Sequence, residues 1–126
     1  MSWGTEWRFS ARLAWQNVWL RFFCFLTGFF FLLSTGFFLI RLIPLGRRSG
    51  IIITHYNIYL GIDDVRPWPW ILFSPLIASL LIVLDLLIAL GLYRRDRLAS
   101  LSLIVVMFVS LLLWITASFF LMLVNA

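Results

Sequence analysis

The sequence predicts an all-α, polytopic membrane protein: three transmembrane helices, an amphipathic N-terminal helix, and a partly extended loop between the first two spans. Three observations carry this. Hydrophobic side chains make up 63% of the 126 residues and charged ones only 12%. Three long apolar runs, 19–43, 70–93 and 98–124, fill most of the chain. A single acid, Asp85, lies deep inside any of them. A bilayer core about 30 Å thick needs roughly 20 apolar residues at a rise of about 1.5 Å each, so every run is long enough to cross with some tilt. Backbone amides cannot stay unpaired in hydrocarbon, which makes the runs helices. The alternation that a barrel strand would need is missing. A water-soluble bundle would need a polar face on each helix, and Leu76–Leu92 offers only Ser79 and Asp85.

Residues 3–18 read as an interfacial helix leading into the first span. Trp3, Trp7, Trp15 and Trp19 fall on an i, i+4 lattice, with Arg8 and Arg12 four apart on another side. Indoles favour the headgroup layer and arginines reach lipid phosphates. A plain extension of the first transmembrane helix, anchored by its tryptophans, satisfies the same pattern. Two arginines fall short of the 4–8 basic residues of a dedicated anionic-lipid site. The first run is read as a retained signal anchor, because it exceeds a signal peptide's hydrophobic region and no A-x-A cleavage site follows. The lone Cys24 excludes an internal disulfide. Eight phenylalanines between Phe22 and Phe38 give this span a bulky, lipid- or partner-facing surface.

Orientation follows from the arginines, since the chain has no lysine. The N-terminal segment and the 94–97 hairpin share a side and carry Arg8, Arg12, Arg21, Arg94, Arg95 and Arg97. Arg41, Arg47, Arg48 and Arg66 lie on the other. Six against four places the N-terminus in the cytoplasm and the C-terminus outside, in a bacterial inner (cytoplasmic) membrane. The net charge of +5 reflects this topology, and no nucleic-acid partner is expected.

The 44–69 connection is too long for a minimal helix hairpin and should be structured. Pro44-Leu45-Gly46-Arg47-Arg48-Ser49-Gly50 is expected to end the first helix. Ile51 to Leu60 suits a strand or an extended surface segment. Gly61 to Pro67 should turn the chain, and Trp68-Pro69-Trp70 marks re-entry at the interface. Candidate recognition residues here are His55, Tyr56, Asn57, Tyr59, Asp63 and Asp64. One histidine and two adjacent acids do not match a dense metal-ligand spacing such as H-E-x-x-H, and neighbours on an extended segment point to opposite faces. The plainer reading makes Asp63 and Asp64 a turn that pairs with Arg66 or with Arg47 and Arg48. The string His55-Tyr56-Asn57-Ile58-Tyr59-Leu60-Gly61-Ile62-Asp63, followed by a proline–tryptophan entry and two apolar helices, resembles a group of small uncharacterised three-span bacterial membrane proteins. The resemblance covers roughly Thr54 to Asn125, includes chains from reduced-genome candidate lineages, and implies no activity.

Asp85 lies about two and a half helical turns below Arg94. A carboxylate there costs at least about 2.5 kcal/mol unless it faces water or a partner helix, or stays neutral. At matching depth the first span offers Thr27 and Gly28, and the third offers Met107 and Ser110. Asp85, Thr27 and Ser110 therefore form the candidate intramembrane polar site, either as packing glue or as a proton or cation site. The absences narrow the field. Without lysine there is no Schiff-base cofactor, a single histidine outside the spans gives no bis-histidine haem, and phosphate-loop and hydrolase motifs are missing. No catalytic residue, cofactor or metal is expected. The expectation is a non-catalytic accessory subunit or self-associating component of a membrane complex, with the lipid bilayer and other membrane subunits or its own copies as partners. The alternative is a small homo-oligomeric ion or proton channel or transporter using Asp85. A lipid-acting enzyme built on His55, Asp63 and Asp64 is a distant third.

Overall fold

The computed structural model describes residues 2–126. Helix α1 spans Trp3–Trp15 and α2 spans Val18–Ser49. Strands β1 (Ile51–Asn57) and β2 (Gly61–Pro67) pair antiparallel, and a 3-10 turn, Trp68–Leu72, leads into α3 (Phe73–Leu92). Helix α4, Arg97–Asn125, completes the chain. Three of these helical segments, Val18–Ser49, Trp68–Leu92 and Arg97–Asn125, are long and apolar enough to cross a membrane. The fold is therefore mostly helical but not all-α, because the loop folds into a two-stranded sheet.

A break at Gln16–Asn17 makes α1 a helix of its own and not an extension of the first span. Asn17 explains the break. Its side chain accepts from the Trp19 and Leu20 amides at 3.0 and 3.3 Å, an N-cap that starts α2 afresh. At the far end the expectation fails, because α2 runs through Pro44 and stops only at Ser49. Proline removes one helical bond, which the turns on either side tolerate in a long apolar helix. The stop is Gly50, whose φ of 74° supplies the left-handed cap and whose amide reaches Gly46 O at 2.8 Å. Within this last turn Gly46 leaves room for Trp68. A Cβ there would fall 2.7 Å from the Trp68 Cβ.

Helix α4 packs against both α2 and α3, whereas α2 and α3 do not approach each other closely. The most apolar stretch of α4 is correspondingly more buried, 28% against 11% for each of the other two. Two core clusters result. At the Arg94–Arg97 end, Ala14, Leu20, Ala89, Ile104 and Met107 come together. At the sheet end, Phe38, Leu42, Ile52, Ile71 and Trp114 do so. Polar side chains tie the helices at both levels. Ser100 donates to Ala89 O at 2.6 Å, and the Trp114 indole donates to Thr35 Oγ1 at 3.2 Å. Asp96 caps α4 by accepting from the Ala99 amide at 2.9 Å.

Helix α1 docks on the last turns of α3. The Trp7 indole donates to Leu87 O at 3.2 Å, and Asn17 donates to the Tyr93 hydroxyl at 3.1 Å. The buried Ser10 hydroxyl lies 2.8 and 3.0 Å from Leu90 O and Gly91 O, sharing one proton between them, and accepts from the Arg94 amide at 3.0 Å. It closes the end of α3, where carbonyls lack helical partners. Gly91 makes the approach possible, because a Cβ there would stand 2.8 Å from the Trp7 ring.

Candidate functional site

Asp85 sits on α3 one turn from Ala89 and Ile82, which face the core, yet it remains half-exposed. Among the described residues its carboxylate joins no hydrogen bond or ion pair. The cross-bundle bonds expected with Thr27 and Ser110 are not formed. Thr27 is buried with its hydroxyl unpartnered, and Ser110 is half-buried on α4. For Thr27 the reason is architectural: α4 packs against both α2 and α3, so Thr27 and Asp85 sit on helices that barely touch. Beside Asp85 on the helix the exposed side chains are apolar, Leu81, Leu84 and Ile88 among them. Three cavities lie near the helix ends, and Asp85 borders none of them.

The second group of candidates lies on the β-hairpin. The chain turns at Ile58–Leu60, not at Gly61–Pro67 as the sequence suggested. Asn57 drives the turn by accepting from the Tyr59 amide at 2.9 Å, and Gly61 takes the left-handed φ of 77° that restarts the ladder. Asp63 and Asp64 are therefore strand residues with separate partners. His55 Nδ1 lies 2.6 Å from Asp63 Oδ1, the ring donating to the carboxylate. Asp64 accepts from the Thr54 hydroxyl at 2.6 Å and from Arg66 Nε at 3.1 Å. These bonds, that from Thr54 foremost and then that from Arg66, hold the Asp64 carboxyl below the usual carboxylate range. Arg47 does not join them; its guanidinium lies over the Trp68 ring at 5.5 Å, and Arg66 lies over Trp70 at 5.0 Å. The register shift between Ile53 and His55 turns Thr54 toward Asp64 and His55 toward Asp63. The acids do not converge on a common point.

The hairpin tip is bare. Ile58, Tyr59 and Leu60 are 87%, 93% and 76% exposed, and Tyr56 is exposed beside them. Its base is held by Asn125, whose side chain accepts from the Ile53 amide and donates to the Ile53 carbonyl, both at 2.8 Å. One amide side chain thus completes the two bonds that a neighbouring strand would supply. Reading the sequence alone missed Asn125, Ser10 and Gly91; each acts across 72 or more residues of chain, and none breaks a local pattern. No known protein family, curated protein or solved structure matches the chain.

Proposed function

We propose that this chain is a non-catalytic three-span protein of a bacterial inner membrane that works by association, as an accessory subunit of a larger membrane complex or as a self-associating component. The observation that carries the reading is Asp85. It is a carboxylate without a partner on a half-open, otherwise apolar face of α3. In hydrocarbon such a group is costly alone and favourable when a second helix hydrogen-bonds it, so a neighbouring protein helix would satisfy this face. Large exposed side chains along all three helices, Phe25, Leu32, Ile40, Leu80 and Leu113 among them, support lipid and protein neighbours over water. The end carrying Arg94, Arg95 and Arg97 faces the cytoplasm on this reading, and the bare hairpin tip outside supplies recognition by Tyr56 and Tyr59.

Purification from native membranes in mild detergent, with particle mass and identification of co-eluting chains, tests the proposal. A stoichiometric partner or a defined homo-oligomer is the expected result. A lone monomer carrying only lipid would contradict it.

A further inference from the structure

The Arg94–Arg95 end carries a cleft that helix packing does not account for. Between α1 and α3 lies a cavity of about 600 Å³, lined by Trp3, Trp7, Leu87, Ile88, Arg94 and Arg95. That is within the size range of small-molecule sites. Along the end of α3 and the turn after it the lining passes from apolar, at Leu87 and Ile88, to cationic, at Arg94 and Arg95. Its charge is cancelled only in part, by Glu6, which also lines the cleft. Glu6 accepts from one Arg95 nitrogen at 3.1 Å, whereas the Arg94 guanidinium lies over the Phe9 ring at 5.2 Å and meets no carboxylate among the described residues. Trp3 stands over the cleft 82% exposed, a large indole with nothing covering it.

We propose that this cleft holds one anionic glycerophospholipid. The phosphate sits on Arg94 and the free edge of Arg95, an acyl chain follows Leu87 and Ile88, and Trp3 closes on the glycerol region. A planar guanidinium fork suits a phosphate, and a Trp ring with one apolar and one wet side suits the headgroup boundary. The geometry also answers the shortage of basic residues on α1, because the fold brings the arginines of a distant hairpin beside its tryptophans. The inference rests on the membrane placement proposed above and not on association through Asp85.

The test is native mass spectrometry of the full-length protein in detergent, with phosphatidylglycerol or phosphatidylcholine added at equal concentration. One phosphatidylglycerol retained per chain is expected, with little phosphatidylcholine. Arg94→Gln should lower that retention about tenfold, the worth of a charge-assisted hydrogen bond. Arg97→Gln removes the same charge from the same hairpin but not from the cleft, and should leave retention unchanged. Trp3→Ala, at an exposed position outside the α1–α3 bonds, should also weaken retention while circular dichroism stays helical. Equal retention of the two lipids, or equal loss in Arg94→Gln and Arg97→Gln, would overturn the assignment. So would displacement of the lipid by millimolar inorganic phosphate, which would make the ligand free phosphate. Oligomer mass, read in the same spectra, reports the Asp85 contact separately.

Discussion

The two ends of the molecule are built on opposite principles. At the Arg94–Arg97 end the core is made of small or medium side chains, Ala14, Ala89, Leu20 and Met107, and backbones come close enough for Ser10, Trp7 and Ser100 to reach carbonyls of α3. At the sheet end Leu42, Ile52 and Ile71 share the core with two large rings. Phe38 and Trp114 meet edge to face at 5.2 Å, and Trp68 fills the notch at Gly46. The first end is held by polar side chains bonding to helix backbone across long stretches of chain. The second is held by ring packing, by the side-chain bond from Trp114 to Thr35, and by one amide, Asn125, under a hairpin that otherwise stands open. Among the described residues, polar ties onto a neighbouring helix's backbone belong to the first end, so the two ends should fail in different ways.

The largest expected effect is at the notch under α1. Gly91→Leu drives a side chain into the Trp7 ring and should free α1 at a cost of about 1–3 kcal/mol, the usual range for overpacking. Limited proteolysis within residues 3–17 reads this directly, and an uncleaved α1 would mean that the Trp7 contact is soft. Next come the polar ties. Ser10→Ala strands the end of α3, and Asn125→Ala strands both groups of Ile53, each costing about 0.5–1.5 kcal/mol because the sites are only part-buried. Hydrogen exchange should rise at Gly91–Asp96 in the first variant and at Ile52–Thr54 in the second, each leaving the opposite end protected. Exchange rising at both ends together would erase the distinction drawn between them.

At the seam between the clusters, Thr27→Val replaces a buried hydroxyl that has no partner by a methyl of similar size. It should leave stability unchanged or raise it by up to about 1 kcal/mol, and a clear loss in thermal stability would reveal an unrecognised bond. The smallest effect is at the hairpin. Asp64 titrates below the ordinary value of about 3.9, so the ionised form stabilises the strands above that value, and the contribution is lost as pH falls through the depressed pKa. An NMR titration of the Asp64 carboxyl carbon should show the low midpoint, moving upward in Thr54→Val. Tyr59→Ser, at the tip, should change stability by less than about 0.5 kcal/mol.

How far this was legible in the sequence differs between the same two ends. The three long helices, a helical amphipathic N-terminal segment and a structured connection follow from apolar length, the tryptophan lattice and loop length; that α1 is a separate helix does not, because the lattice fits an extension of α2 equally well and the break rests on the Asn17 cap. Pro44 reads as a stop because proline removes a helical bond, whereas α2 continues through it to the Gly50 cap. The hairpin turn was misplaced because Ile58-Tyr59-Leu60 has strand composition, whereas the turn is set by the Asn57 side chain and Gly61. The docking of α1 on α3 was not legible, since Trp7, Ser10 and Gly91 are unremarkable where they stand and meet only in three dimensions. Asp85 is conspicuous in the sequence, but that it has no partner among the described residues is legible only in the structure.

That missing partner is the centre of the account, and particle mass in mild detergent for Asp85→Asn and Asp85→Leu tests it most directly. An amide still hydrogen-bonds a neighbouring helix, so the Asn variant should keep the wild-type assembly. Leu cannot, and that variant should fall to a smaller particle while its helix content is unchanged. If Asp85→Leu retains the wild-type mass and partners, Asp85 is not the contact that holds the assembly together.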